Sequence, residues 1–229
     1  HVPGAAVTAI ADPNQPSREA TILFDEGRND ITEFADHREL LASGLVDVVI
    51  VSSPNMTHRA ILDDVLATDL HLLVEKPLCT TVADCRAVLA AADARRDRGC
   101  DAIVWVGLEY RYMPPVARLI HEVHAGTIGA PKMVAIREHR FPFLTKVGDW
   151  NRFNRNTGGT LVEKCCHFFD LMNHITGDRP VRVQASGGQD VNHLDERYDG
   201  EVPDILDNAF VIVDYEQGAR AMLDLCMFA

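Results

Sequence analysis

The stretch Leu70–Pro77, LHLLVEKP, decides the fold of this chain. Its apolar first half is typical of a strand that is buried on both faces of a sheet. Pro77 cannot continue a central ladder, so the strand ends there and leaves Glu75 and Lys76 at its carboxyl end. In an open α/β sheet, ligands bind at that edge. A lysine anchored there suits a catalytic role, although a surface lysine at a strand end explains the position equally well.

Strands and helices alternate on both sides of this stretch. Further strands are predicted at 7–11, 46–51 and 102–108, and helices at 17–27, 36–43, 57–68 and 81–96. The strand at 46–51 is rich in β-branched residues and is also predicted to be buried, and Ser17 is a candidate N-cap for the first helix. Alternation of elements of this length predicts βαβ units and a parallel sheet of the Rossmann type.

The pattern changes after Leu108. Pro114 and Pro115 open a helix that runs to 124, an alternating strand follows at 132–141, and a long helix at 160–176 stops at Gly177. Three strands then follow at 181–185, 208–215 and 219–225, and the last two are joined at Gln217–Gly218. This second half therefore predicts an α/β domain with a mostly antiparallel sheet.

Asp12 lies at the tip of the first predicted strand. In dinucleotide folds, an acidic residue after the second strand is the usual partner of the adenosine ribose hydroxyls. The matching glycine loop should lie about 20 residues earlier, but only 11 residues precede Asp12, and Gly4 is the one glycine among them. We therefore expect the first strand and the glycine loop upstream of His1, and further chain after Ala229. By itself, Asp12 is better explained as a turn former before Pro13.

The composition argues against several kinds of partner. The formal net charge is −12, from 22 basic and 34 acidic side chains, which disfavours nucleic acid and anionic membranes. No apolar run approaches the roughly 20 residues of a membrane span. The six cysteines include no CxxC pair and are typical of reduced thiols, so we predict a cytoplasmic protein.

A second group of reactive side chains lies in the helix predicted at 160–176. Glu163 and His167 are spaced four residues apart and would share one helix face. A histidine beside a carboxylate can act as a general acid–base near neutral pH, although a simple ion pair on the helix face is the more common explanation. Cys165 and Cys166 could add zinc ligands, but adjacent helical residues point about 100° apart, so we predict no metal site and at least one buried apolar thiol.

Five segments together resemble the Gfo/Idh/MocA oxidoreductases, which include inositol dehydrogenase and glucose–fructose oxidoreductase. They are Asp12 after a strand, SSPN at 52–55, EKP at 75–77, GLEYRYMPP at 107–115 and TGGTLVEKCCH at 157–167. The resemblance implies a dinucleotide-binding domain at 1–109, truncated at its start. It also implies a substrate and oligomerisation α/β domain at 110–229, truncated at its end and forming a homo-oligomer through its sheet.

The resemblance also implies roles for individual residues. Lys76 matches the lysine that contacts substrate and cofactor, His167 matches the catalytic histidine, and Glu163 replaces the usual aspartate. The positions that match cofactor contacts are Asp12, Ser53, Pro54, Asn55, His58, Glu75, Lys76, Pro77, Trp150 and Arg152. Candidate polyol contacts are Tyr110, Arg111, Tyr112, His139 and Arg140, each of which could equally be a solvated surface residue. The segment Lys164–Cys166 departs from the apolar–Gly–small pattern of the family and puts close packing near His167 in doubt.

The activity that the resemblance implies is hydride transfer between a nicotinamide cofactor and a hydroxyl of a sugar or cyclitol such as an inositol. His167 would accept the hydroxyl proton, and Lys76 would stabilise the developing alkoxide. Asp12 favours NAD over NADP, because a carboxylate repels a 2′-phosphate. Two alternatives stay open: a redox-neutral, cofactor-using enzyme that cleaves glycosides, and a non-catalytic NAD-binding protein of the same fold.

Overall fold

The computed structural model of the chain describes residues 3–24 and 30–229. These residues divide into two compact units. The first contains the described residues of His1–Ser53, together with Thr57–Val74 and Ala83–Trp105, and the second contains Pro54–Met56, Glu75–Val82 and Val106–Ala229. The segment that carries Lys76 therefore belongs to the second unit. The domain boundary between 109 and 110 stays a prediction.

The first unit alternates strands and helices, as predicted. Its elements are β1 (Ala9–Ala11), α1 (Gln15–Phe24), β2 (Thr32–Phe34), α2 (His37–Ala42), β3 (Val48–Val51), α3 (His58–Leu66), β4 (His71–Glu75), α4 (Val82–Asp97) and β5 (Val104–Gly107). β1 pairs in parallel with β2, β3 pairs in parallel with β4, and β5 lies beside β4. The parallel pairing and the Rossmann-like character of this part of the chain are confirmed.

Two details of this unit differ from the predictions. The short strand β2 was not expected, and it forms a separate two-stranded sheet with β1. Helix α1 begins at Gln15 rather than at Ser17, because Pro16 fits the first turn and the Asn14 side chain accepts the Ser17 N–H at 3.3 Å. The end of the helix predicted at 17–27 lies outside the described residues.

The predicted burial of the strands is correct on one face only. In β4, Leu72 and Val74 are buried, whereas Leu73 on the opposite face is half-buried. In β3, Val48 and Ile50 are 52% and 65% exposed. An apolar run does not say whether both faces are covered, since covering a face needs a partner layer from elsewhere in the chain.

The second unit is built on a four-stranded sheet. Its elements are α5 (Pro114–His124), β6 (Met133–His139), α6 (Asn154–Thr157), α7 (Thr160–Glu163), α8 (Cys166–Thr176), β7 (Pro180–Gly188), β8 (Asn208–Tyr215) and β9 (Arg220–Cys226). The strand order is β6-β9-β8-β7. β7, β8 and β9 are antiparallel neighbours, and β6 runs parallel to β9. The mostly antiparallel sheet is thus confirmed, as is the turn at Gly218, whose N–H donates to Tyr215 O at 3.0 Å.

The core of this unit lies between α8 and the inner face of the sheet. Alternate residues of β8 and β9 point inward, so Val211 and Leu223 are buried against Phe168 and Met172 of α8. On its other side, α8 packs against α5 through Leu171, Ile175, Ile120 and Val123. Helix α8 is therefore held from two sides, which fixes its first turn in place.

No helix within residues 3–24 and 30–229 combines the length and the apolar character that spanning a membrane requires.

Candidate active site

Lys76 follows β4 directly and contacts the segment between α7 and α8. Its Nζ donates a hydrogen bond to the carbonyl oxygen of Glu163 at 3.1 Å. The two glycines before α7 bring this part of the chain close to the residues after Pro77. Gly158 has φ +80°, and a Cβ at that position would lie 2.7 Å from Thr80 O. A side chain at position 158 would therefore prevent this close approach of the Thr80 backbone.

The predicted helix at 160–176 is interrupted, and this corrects the expected Glu163–His167 pair. Helix α7 ends at Glu163, and α8 begins at Cys166. In a continuous α-helix, Glu163 O would accept the N–H of His167. Here that oxygen accepts the Lys76 ammonium instead. The interruption thus places three of the predicted catalytic groups in one small region, but without a helix-face ion pair.

His167 is buried, and a face-to-face stack holds its imidazole ring. Tyr110 lies parallel to it, with ring centroids 4.0 Å apart and planes 6° apart. The Nε2 of His167 lies 3.6 Å from Oε1 of Glu109, a carboxylate that is 60% exposed. Burial lowers the pKa of His167 to about 4, and the positive charges of Lys76 and Lys164 act in the same direction. The imidazole is therefore neutral at pH 7 and able to accept a proton.

The Glu163 carboxyl group is also buried. Burial raises its pKa, although the positive charge of Lys76, followed by those of Lys146 and Arg152, opposes the shift. Within the described part of the chain, Glu163 Oε2 and His167 Nδ1 are both buried without a hydrogen-bond partner. Unpaired buried polar atoms are costly and cluster at functional sites. This region therefore has the features expected of a site that binds a polar ligand.

A polar cluster that no sequence motif indicates lies beside this region. The Nζ of Lys164 donates to the hydroxyl oxygen of Tyr110 at 2.7 Å and lies 3.1 Å from Oε1 of Glu138. Lys164 departs from the family pattern, but no motif near it indicates a contact with Tyr110 or Glu138. A sequence gives little sign of such pairs, because Tyr110 and Glu138 lie on different elements from Lys164 and meet it only in the folded chain.

Most candidate polyol contacts are engaged with other protein groups. Arg111 is paired with Asp170 of α8 through both carboxylate oxygens. His139 contacts Asp224 on the neighbouring strand at 2.9 Å, and Arg140 Nε donates to the Phe141 carbonyl at 3.3 Å. Tyr112 is exposed. Of the five candidates, Tyr110 directly contacts His167.

Three of the residues predicted to contact the nicotinamide end lie in the turn after β3. His58 is fully buried, and its Nε2 donates to the carbonyl oxygen of Ser53 at 3.0 Å, which braces the turn within the first unit. Asn55 belongs to the second unit and is buried, with no hydrogen-bond partner for its Nδ2 among the described residues. Pro54 belongs to the same unit.

The other residues predicted to contact the cofactor lie in different parts of the fold. Asp12 Oδ1 accepts the Asn14 N–H at 2.7 Å, so the residue does form the turn expected of it. Glu75 Oε2 accepts the N–H of Lys76, and the peptide bond between Lys76 and Pro77 is cis. Arg152 is buried and donates to Glu196 at 2.9 Å, while the carbonyl of Trp150 accepts from Asn156.

The cysteines pack as thiols. Cys165 is buried in the core cluster, which confirms the predicted apolar role. Burial raises the pKa of Cys165 to about 12 and that of Cys166 to about 11. None of the six cysteines, all of which the structure describes, forms a disulfide. In the part of the chain that the structure describes, no group of three or more His, Cys, Asp or Glu side chains is placed to hold a metal ion.

Two family models match the chain in order. One, described as "Oxidoreductase family, NAD-binding Rossmann fold", matches residues 1–101, and the other, "Oxidoreductase family, C-terminal alpha/beta domain", matches residues 120–229. The chain belongs to the Gfo/Idh/MocA oxidoreductase family. The resemblance inferred from five short segments is confirmed.

Individual members of the Gfo/Idh/MocA family are similar over most of the chain. The chain is 28% identical over 193 residues to a myo-inositol 2-dehydrogenase from Thermotoga maritima. The matched region covers 83% of this chain and 53% of that protein. It is 23% identical over 219 residues to the rhizopine catabolism protein MocA from Rhizobium meliloti, covering 96% of this chain and 62% of that protein. An oxidoreductase domain protein from Kribbella flavida has a TM-score of 0.82 and 25% identity, covering 97% of this chain and 59% of that structure. The chain spans about half to three-fifths of the length of these relatives.

Proposed function

We propose that this Gfo/Idh/MocA chain forms part of an NAD-dependent oxidoreductase that transfers a hydride between nicotinamide and a hydroxyl of a sugar or cyclitol. The observation that carries the proposal is the convergence of Lys76, Glu163 and His167, with buried and unpartnered polar atoms on the last two. A polyol supplies both donors and acceptors for such groups. An inositol-like substrate is favoured because a 28% identical relative is named myo-inositol 2-dehydrogenase.

The residues present fit a nicotinamide cofactor. The unpartnered Nδ2 of buried Asn55 is available to a polar ligand atom, and Lys76 lies at the end of β4 within the same unit. Asp12, at the tip of β1 in the other unit, is suited to ribose hydroxyls. When bound, NAD would supply the hydride acceptor.

His167 and Lys76 would divide the proton chemistry between them. A neutral imidazole accepts the hydroxyl proton, and the burial that lowers its pKa to about 4 keeps it neutral at pH 7. The ammonium of Lys76 stabilises negative charge on the same oxygen, so the base need not be strong. Buried Glu163 would hydrogen-bond a substrate hydroxyl or orient the lysine.

Kinetics of the complete protein test these roles. Reduced-nicotinamide absorbance should increase when NAD is added with one of a panel of cyclitols and sugars. His167→Ala and Lys76→Ala should each lower kcat by roughly 10²–10⁴-fold, and the double variant should be little worse than either. Lys132→Ala, an exposed lysine before β6, is the matched control. Near-normal turnover of His167→Ala would remove the histidine from the mechanism, and bound cofactor without net NADH production would favour redox-neutral chemistry.

We propose NAD rather than NADP as the preferred cofactor. Arg18 lies six residues after Asp12 and donates to its carbonyl oxygen at 2.6 Å. The guanidinium is paired with Glu33 at 2.9 Å, so its charge is already compensated. Asp12→Asn should therefore lower the kcat/KM ratio of NAD to NADP, and Asp12→Asn combined with Glu33→Gln should lower it further. Equal efficiency of the wild-type protein with both cofactors would contradict the proposal.

We propose that the outer face of the C-terminal sheet joins two copies of this chain. Phe210, Ile212 and Met222 lie side by side there, and Phe210 is 61% exposed. Ion pairs flank the apolar strip, with Arg182 and Arg220 on Asp214 at one end and Arg137 on Asp224 at the other. An apolar strip with charged ends is typical of a specific interface. We also propose a cytoplasmic location, which is supported by the lack of a disulfide among the six described cysteines.

Sedimentation velocity tests the interface. Phe210→Arg should convert the oligomer to a smaller species, because it places a charge in the centre of the strip. Phe141→Arg changes an exposed aromatic residue outside the strip and should have no effect on mass. A wild-type protein that stays monomeric at tens of micromolar would contradict the proposal.

A further inference from the structure

Lys164 is a buried cation beside the candidate active site. It occupies the interruption between α7 and α8 and is 7% exposed. Its Nζ donates to the Tyr110 hydroxyl at 2.7 Å and is paired with Glu138 of β6 at 3.1 Å. The same Nζ lies 5.1 Å from the centroid of the Tyr110 ring and 5.4 Å from that of Phe168. A buried charge is tolerated when it is paired in this way.

Tyr110 connects this cation to His167. One end of the tyrosine, its hydroxyl, is held by Lys164, and the ring lies flat on the imidazole at 4.0 Å. Phe168 packs edge-on against the ring, with centroids 5.8 Å apart. The tyrosine ring therefore has a fixed height and orientation above the imidazole, set by the hydrogen bond at its far end.

Several charged and titratable groups face the imidazole from the elements packed around it. They are Lys76 after β4, Glu109 and Tyr110 before α5, and Lys164 between α7 and α8. Glu138 of β6 compensates Lys164, and the Glu163 carbonyl accepts from Lys76. The carboxylate of Glu109 lies 3.6 Å from the imidazole Nε2 and is largely exposed. The buried charges near His167 are thus mainly positive.

We propose that Lys164 is a positioning residue for His167: it anchors Tyr110 by its hydroxyl so that the tyrosine ring stays stacked on the imidazole, and it maintains a fixed positive charge beside that ring. The relevance to hydride transfer rests on the proposed function, whereas the anchoring itself does not. The two can therefore be tested separately.

NMR of the histidine side chain tests the anchoring without any assay of activity. A stacked tyrosine shifts the imidazole protons of His167 upfield through its ring current. In Lys164→Met and in Tyr110→Phe this upfield shift should decrease, because each variant removes one partner of the anchoring hydrogen bond. Tyr110→Leu, which has no ring, gives the reference spectrum in which the upfield shift from residue 110 is absent. Lys132→Met is the matched control and should leave the resonances unchanged.

The pH titration of the same resonances tests the charge. In Lys164→Met, the pKa of His167 should rise, since removing a nearby positive charge favours the imidazolium. Tyr110→Phe keeps the lysine, so its effect on the pKa should be smaller. If the complete protein is an active dehydrogenase, the acidic limb of its kcat/KM profile should move upward in Lys164→Met by the same amount.

Retention of both the ring-current shift and the wild-type pKa in Lys164→Met would overturn the proposal. If that variant does not fold, Tyr110→Phe decides alone: an unchanged ring-current shift would show that the hydroxyl anchor does not hold the ring. Absence of dehydrogenase activity would count against the proposed function and would leave the NMR results as a test of the anchoring.

Discussion

Replacing His167 by glutamine should make the protein less sensitive to acid. Glutamine is neutral at every pH, whereas the pKa of His167 falls from 6.5 to about 4 on folding, first through burial and then through Lys76 and Lys164. Between these values, the unfolded chain binds a proton that the folded chain does not, so acid favours unfolding. The difference is about 2.5 pH units and is worth about 3 kcal/mol once the pH is below 4.

The measurement is urea unfolding followed by tryptophan fluorescence at pH 7.5, 6, 5 and 4. The free energy of unfolding of the wild-type protein should fall more steeply below about pH 6.5 than that of His167→Gln. The difference between the two free energies should stop changing below about pH 4. Leu119→Gln, an exposed non-titrating position on α5, should change stability equally at each pH. Parallel curves for wild type and His167→Gln would refute the inference that folding buries a neutral imidazole.

Three further predictions follow from the packing and charges of the second unit. Leu223→Ala should lower the free energy of unfolding by about 2–5 kcal/mol, because this fully buried side chain fills the centre of the core. Met133→Ala, at an exposed position on β6 outside the proposed interface, should cost less than about 1 kcal/mol in the same urea titration. Gly158→Ala should lower Tm by more than Gly177→Ala, because both glycines have positive φ but only the Cβ at 158 meets a backbone oxygen, Thr80 O at 2.7 Å; similar losses in scanning calorimetry would contradict this. The Tm of Glu163→Gln should rise relative to that of the wild-type protein as the pH increases from 4.5 to 8. Burial raises the pKa of the Glu163 carboxyl group, so its ionisation favours unfolding. A constant Tm difference would mean that the folded protein stabilises the carboxylate.

The positions of many elements could be read from local sequence. Pro114 and Pro115 start α5, and Gly177 in the left-handed region ends α8, as predicted. The alternation of β8 and the turn at Gly218 placed the hairpin correctly. These features depend on residues within a few positions of one another, so a local pattern contains the necessary information.

The sequence predicted the candidate catalytic residues but not the groups that they contact. Lys76, Glu163 and His167 do lie in one region, as the five motifs suggested. The ion pair on a shared helix face was the alternative to a catalytic role for His167, and it depends on a continuous helix. The break before Cys166 removes that basis. Contacts between distant parts of the chain decided the actual partners. Lys76 donates a hydrogen bond to the Glu163 carbonyl oxygen, and the Glu109 carboxylate lies beside the His167 imidazole.

The sequence by itself determined the family, the alternation of strands and helices, the antiparallel hairpin and the identity of the candidate catalytic residues. Only the tertiary structure decided that β3 leaves one face exposed, that the helix breaks before Cys166, and that Lys164 reaches both Tyr110 and Glu138. The physical reason is the separation along the chain over which each effect acts. Propensity, capping and periodicity act between neighbours in the chain, whereas burial, pKa and ion pairing depend on which distant segments fold against a residue.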